Sequence, residues 1–553
     1  MNDTDAKVKK LFYQALEDHK KNQFKNAEDL YNKILEIDHN HIDATYLLGI
    51  IFLQKKNLPK AIIYFDKVIK INPNHINALH NLGSALFEMR DTEKAKKLLL
   101  RVIEIRPQHA DAHYNLGNIY KYYKDLKKAK LHYEKTIQIQ PNSTKAHNNL
   151  GNIFKELGYY NKAIIFYKKA IEIEHDHFNS YHNLANTYKQ LGKFKIAENY
   201  YLKSLKYRPH NLETKNLLIE LNGKYLKADL ENKLKDVVKN KETSEKNLAY
   251  ANFILSKIES KKGNLEKEFN FLLKGHSHYF LSKKEKFEME LTYWFKALPK
   301  ICKIINTKKI NLTKDRYSNI KPIFIVGVPR CGSTLIEKII ASGKVKIPIG
   351  EETGIIGFLI NKKIITNESL NINNVRKKII QNYEERGFLN KKNNFIFTDK
   401  SLDNFFYIGL ISKIFPKAKI INCQRNIVAT IVSIIKNDLG DISWAHNLES
   451  IFRYIDIYHK NIKVFKKNYP NLLYDLQLEN LIKNPERESK KLMRFCDLIW
   501  DKKCLEYYKR RDLISKTASN IQIRKDIYKD LNSRHNSYKK FLDKYGNNYS
   551  WYK

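Results

Sequence analysis

The chain has 553 residues, of which 42% are hydrophobic and 29% charged, so it is long enough for two or three domains and ordinary in its balance for a globular protein. It contains no run of eighteen apolar residues, which argues against a membrane span, and its first twenty residues lack the apolar core of a secretory signal. The net charge of +42 comes from lysines scattered over the whole chain among Ile and Asn, a composition bias rather than one stripe, so no nucleic acid is expected as a partner. Five cysteines (Cys302, Cys331, Cys423, Cys496, Cys504) stand at spacings that suit neither a disulfide framework nor a metal, which points to a reducing cytoplasm.

In chain order, the first two-fifths are periodic. Small residues recur every 34 positions at Ala27, Ala61, Ala95, Ala129, Ala163 and Ala197, and again at Ala15, Gly49, Gly83, Gly117, Gly151 and Ala185. Pro73, Pro107, Pro141 and Pro209 keep the same step, with His39 and His175 in the skipped places. Apolar residues between these marks follow helical spacing, which predicts two antiparallel helices per unit, close-packed at the small residues and stopped by proline. Units of this kind bury their apolar faces only against neighbours and stack into a solenoid. The pattern resembles the tetratricopeptide repeat, with six units over 8–211.

Asn81, Asn115, Asn149 and Asn183 share one register of the first helices; Asn118, Asn152 and Asn186 share another. The resemblance places both registers on the inner groove. There a ladder of amides, each donor and acceptor, can hold the backbone of an extended peptide or protein acceptor. The alternative is that these amides bond within or between units. Residues 212–318 predict a helical extension, with 246–279 as one degenerate helix pair.

At PIFIV (322–326) the texture changes to a buried parallel strand, followed by GVPRCGST (327–334) and an amphipathic helix. A glycine loop feeding a helix N-terminus is an anion site, because backbone N–H groups and the helix dipole point at the ligand. Ser333 stands where nucleotide triphosphatases need lysine, and the cation has moved back to Arg330, so hydrolysis of ATP or GTP is not expected. An α/β domain with a P-loop-like parallel sheet is predicted over 320–545.

The P-R-x-G-[ST]-T loop resembles the 5′-phosphosulfate loop of sulfotransferases, with Cys331 in place of the usual serine. The resemblance implies the donor 3′-phosphoadenosine 5′-phosphosulfate (PAPS), held by Arg330, Cys331, Gly332, Ser333 and Thr334. AKIINCQ (418–424) leads to Arg425 and, eight residues on, Ser433, matching the pair that holds the 3′-phosphate. Gly350-Glu351-Glu352-Thr353 resembles the GEET of tyrosylprotein sulfotransferases, where the second glutamate is the base. A base is needed because an attacking hydroxyl must lose its proton, and neighbouring carboxylates repel in a way that tunes one of them.

Lys400, after a short strand, matches a lysine close to the transferring group. Ser519, then Arg524 or Lys525, match a late loop whose serine reaches the cofactor phosphate. Two departures concern the acceptor: Leu478-Glu479 replaces tyrosine-glutamate, and Gly354 replaces the arginine that follows GEET. No His/Cys/Asp cluster has metal-ligand spacing. The groove, the GEET match and the basic surface favour a peptide acceptor, including an acidic one bearing tyrosine, with a carbohydrate or a small hydroxylated metabolite as the alternatives. A repeat scaffold with an inactive sulfotransferase-like domain is the other reading.

Overall fold

The computed structural model describes residues 3–227, 229–307, 316–365, 371–389, 395–437, 439–510 and 535–552. Two compact units are present: Met1–Thr187 with Asn199–Pro209, and Tyr188–Glu198 with His210–Lys553.

The first unit is a solenoid of helix pairs, beginning Asp3–Lys20 with Phe24–Ile37 and ending Phe178–Gln190 with Phe194–Tyr207. The sequence spacing explains each pair. The Gly117 position lies so close to Tyr133 that a Cβ there would stand 2.6 Å from the ring, and Gly151 meets Tyr167 at the same distance. Alanine takes this place in the first and last repeats, so the closest approach is confined to the middle of the array. Several first helices are capped by histidine: His41, His75 and His109 accept the N–H of the residue three positions on.

The asparagine registers bond inside the array. Asn81 donates to Tyr46 Oη at 3.0 Å, Asn115 to Ser84 Oγ at 2.8 Å, Asn149 to Tyr114 Oη at 3.1 Å and Asn183 to Asn148 Oδ1 at 3.0 Å, each in the preceding repeat. Asn118, Asn152 and Asn186 accept from Tyr133, Tyr167 and Tyr201 of their own repeats at 2.6–2.8 Å. The amide donors of the first register are therefore already engaged, and they rigidify the stack instead of standing open as a ladder.

In the second unit, residues 246–279 form the pair Glu245–Lys262 and Leu265–Leu281, turned by Gly263 at φ +79°. These helices do not form a separate extension. One hydrophobic core runs from Leu212 and Leu234 through Phe253 and Phe324 to Leu542 and Tyr552. Buried Glu268 ties the layers together, holding Lys436 at 2.8 Å and accepting from Tyr538 at 2.6 Å.

The sheet has four parallel strands, β1 (Lys321–Gly327), β2 (Ile396–Asp399), β3 (Lys419–Gln424) and β4 (Leu473–Gln477), in the order β2-β1-β3-β4. Period-two alternation sends Ile323 and Ile325 to one core and Phe324 and Val326 to the other, so both faces are covered by helices. That arrangement brings the C-terminal ends of β1, β2 and β3 together, where ligands bind in open α/β sheets. Among the described residues no helix is long and apolar enough to cross a membrane.

Candidate functional site

After β1 the chain turns through Val328–Cys331 into the helix Ser333–Ala341, with Gly332 as its N-cap at φ +94°. Glycine is required twice over at 332: the backbone is left-handed, and a Cβ would stand 2.7 Å from Leu478. Pro329, Arg330, Gly332, Ser333 and Thr334 line a cavity of about 670 Å³. Cys331 does not join them. Its N–H donates to the Val328 carbonyl at 3.1 Å and its thiol is buried behind the loop, so close that a Cβ on Gly327 would stand 2.8 Å from the sulfur. The loop needs a small side chain there to pack on β3, and it turns that side chain away from the cavity.

Arg330, at φ +73°, donates from Nε to Ser433 Oγ at 3.0 Å, and Arg425 donates to the Arg330 carbonyl at 3.1 Å. Ser433 is carried by the helix Ile427–Lys436, whose cap residue Asn426 donates its N–H to Glu479 at 2.8 Å. Glu479 thus fixes the turn that presents Arg425. Burial, and then the nearby Arg425, push the Arg330 guanidinium down to about 10. Burial lowers that of Arg425 also, and its Nε is buried with no acceptor among the described residues. Two guanidiniums and an orphaned donor beside a helix N-terminus are repulsive alone and fit a dianionic phosphate.

The GEET segment lies along β2. Thr398 donates its N–H to the Pro348 carbonyl at 3.0 Å, and Lys400 donates its N–H to the Glu351 carbonyl at 2.7 Å. Gly350 is compelled by this approach, since a Cβ there would sit 2.1 Å from the Thr398 carbonyl oxygen. Gly350→Ala is expected to destabilise the domain by about 1–3 kcal/mol and to lower activity, because backbone must move; thermal denaturation of the two proteins checks this.

The two glutamates diverge. Glu351, at φ +49°, is buried: its N–H donates to Glu337 at 3.0 Å, and its carboxylate stands 3.8 Å from Lys338. Glu352 turns outward into the cavity, its side chain 57% exposed, and accepts from Lys400 Nζ at 3.0 Å. Lys400 itself is fully buried. Burial opposes its charge, but attraction to Glu352, Glu337 and Glu351 prevails and raises its pKa.

Several supporting residues carried no signal in the sequence. Asp399, at the end of β2, accepts from Thr353 and Tyr383 at 2.6 Å and from Ser401 Oγ at 2.7 Å, and so anchors the turn on either side of Glu352. Glu337 accepts from Thr398 Oγ1 at 2.8 Å, and burial raises its pKa. Apart from Ser401, these partners lie 14 to 61 residues away, which no local spacing reveals. Gly354 is at φ +60°, a conformation that disfavours the arginine of the GEET family. Ser519, Arg524 and Lys525 lie outside the described residues.

Residues 322–502 match the model of the Sulfotransferase family, and residues 14–76, 74–142 and 142–209 match models of the Tetratricopeptide repeat. A protein of Aquifex aeolicus (strain VF5), described as uncharacterized, is 27% identical over 321 residues, which is 53% of this chain. The match spans 40% of that relative's length. Among solved structures, MamA is 30% identical with a TM-score of 0.28, covering 29% of this chain and 94% of its own. Pseudomonas aeruginosa pilF is 20% identical with a TM-score of 0.36, covering 39% of this chain and 99% of its own.

Proposed function

We propose that the sulfotransferase-family domain of this chain moves a sulfuryl group from PAPS to an acceptor hydroxyl. The observation that carries this reading is the pairing of Arg330 with Ser433 and Arg425 beside the Gly332 helix N-terminus. Bound there, the donor would supply an activated sulfuryl group.

The chain's own residues divide the remaining work. Arg425 and Ser433 hold the 3′-phosphate, and Arg330 with the N–H groups at 332–334 holds the 5′-phosphosulfate. Glu352 takes the proton of the acceptor hydroxyl. Lys400 orients Glu352 through its 3.0 Å hydrogen bond, and its charge faces the negative charge that develops on transfer. By the family pattern Ser519 would assist departure of the sulfuryl group, and Arg524 or Lys525 would add a contact to the donor phosphate.

Calorimetry with 3′-phosphoadenosine 5′-phosphate tests the reading directly. Arg425→Ala is expected to weaken its binding by about 10- to 100-fold, the loss of one charge-assisted hydrogen-bonding group. Unchanged affinity would remove Arg425 from the site. Labelled donor incubated with the protein and a whole-cell extract then identifies the acceptor by its label.

The repeats support a protein or peptide partner, since stacked helix pairs build an extended concave surface. With the amide donors of Asn81, Asn115, Asn149 and Asn183 engaged between repeats, recognition falls to other groups on that face. A tyrosine acceptor rests on the GEET match alone. Five free, buried cysteines accord with a reducing cytoplasm.

A further inference from the structure

Helices that precede the sheet contribute Glu290, Tyr293 and Trp294 to the lining of the cavity. The helix Lys284–Thr292 runs into a π-helical turn at Tyr293–Ala297 and then into the helix Leu298–Thr307. Pro299 explains the irregularity: it has no N–H to donate, and its ring would clash with the carbonyl four residues back, so the turn widens. That widening directs Tyr293 and Trp294 to the cavity, which Glu290 lines one turn earlier. Tyr293 donates to Asn361, and the Trp294 ring stands edge-on to Tyr454 at 5.9 Å, with Trp444 stacked on Tyr454 at 3.8 Å.

The charges on this wall are acidic. Glu290, Glu352, Asp403 and Asp441 all line the cavity; the lining cation among the described residues is Arg330, which faces the phosphate side. Two of the acids are balanced: Glu352 by Lys400 at 3.0 Å, and Asp441 by Lys283 at 2.8 Å and Lys286 at 3.2 Å. Among the described residues Glu290 pairs with Lys286 at 3.7 Å, and no ion pair to Asp403 is found. Burial, aided by Asp399 and Glu352, pushes Asp403 up to about 6, and burial raises Glu290 as well. Both carboxylates therefore sit where a hydrogen-bond donor or a cation is welcome and another anion is not.

We propose that Glu290 and Asp403 are specificity-determining residues that admit uncharged or cationic hydroxyl acceptors and turn away acidic ones. This rests on the sulfuryl-transfer reading and sharpens it. The net charge of +42 attracts anions at long range, but long-range attraction is screened beyond about 10 Å in salt, whereas the wall acts in contact. A phenol flanked by carboxylates would thus reach the surface and fail to seat.

Three phenols of similar size test it: tyrosol (neutral), tyramine (cationic) and 4-hydroxyphenylacetate (anionic). Their binding is measured by NMR on the full chain loaded with 3′-phosphoadenosine 5′-phosphate, so the readout is independent of turnover. The anionic phenol is expected to bind about tenfold or more weakly than tyrosol, and tyramine at least as well as tyrosol. In Glu290→Gln and in Asp403→Asn the gap between anionic and neutral phenols should narrow. Glu290 is only half-buried, so that variant remains informative even if Asp403→Asn folds poorly. Equal binding of the anionic and neutral phenols, or binding by none of the three in protein that holds the nucleotide, overturns the assignment. Failure to bind the nucleotide at all overturns the transfer reading itself, and is seen separately.

Discussion

Glu352→Gln is expected to lower kcat by about 10²- to 10⁴-fold, the usual contribution of a positioned general base. Glutamine has the same shape and still accepts the hydrogen bond from Lys400 Nζ, so the side chain stays in place. What it loses is the capacity to take a proton. The fold should tolerate the change: the side chain is 57% exposed, and Lys400 keeps Glu337 and Glu351 as counter-charges. Donor affinity, measured with 3′-phosphoadenosine 5′-phosphate, should be unchanged, because Arg330, Arg425 and Ser433 bond to one another and not to Glu352. Full turnover in the variant would assign the base elsewhere. A parallel loss of donor binding would make Glu352 a binding residue.

Lys400→Met should produce the largest loss of stability, about 3–5 kcal/mol, as expected when one partner of a buried charge cluster is removed. Three carboxylates depend on this cation, and one of them, Glu337, is fully buried. Methionine matches the chain length but leaves Lys338 as that acid's remaining counter-charge, so Glu337 must ionise at higher cost or stay protonated. Glu337→Gln in the Lys400→Met background should therefore recover part of the loss, measured by urea unfolding. Activity should not recover, because Glu352 is still without its partner. A stable Lys400→Met protein, or no recovery in the double variant, contradicts the charge balance drawn here. The comparison also separates a folding role for Lys400 from a catalytic one, which a single substitution cannot do.

Much of this molecule was legible before folding. The 34-residue step is a local rule repeated, since every Ala and Gly that marks it packs against a helix of the same pair. The strand, loop and helix from Lys321 to Ala341 are contiguous, and so was the reading of an anion site. GEET was recognised as a unit, and the resemblance named its second glutamate as the base, but the spacing alone treats the two alike. Only the contact with β2, which presses Gly350 onto Thr398 and gives Glu351 a left-handed backbone, turns one carboxylate inward and the other into the cavity. Cys331 shows the opposite case: its motif position is that of a ligand-binding residue, and packing against β3 withdraws its side chain. The asparagine ladder was a correct register with a different partner, because neighbouring repeats come closer to those amides than a groove ligand must.

By itself, then, the sequence determined the repeats, the parallel sheet and the glycine loop that opens a helix N-terminus, because each depends on residues within a few turns of one another. The tertiary structure alone decided which charges meet. Arg330 and Ser433 are 103 residues apart, Glu352 and Lys400 are 48, and Glu290 reaches the same cavity from before the first strand. Electrostatic interaction falls with distance in space and is indifferent to separation along the chain. The acid or base character of a site is therefore settled only when the sheet and the helices around it have closed.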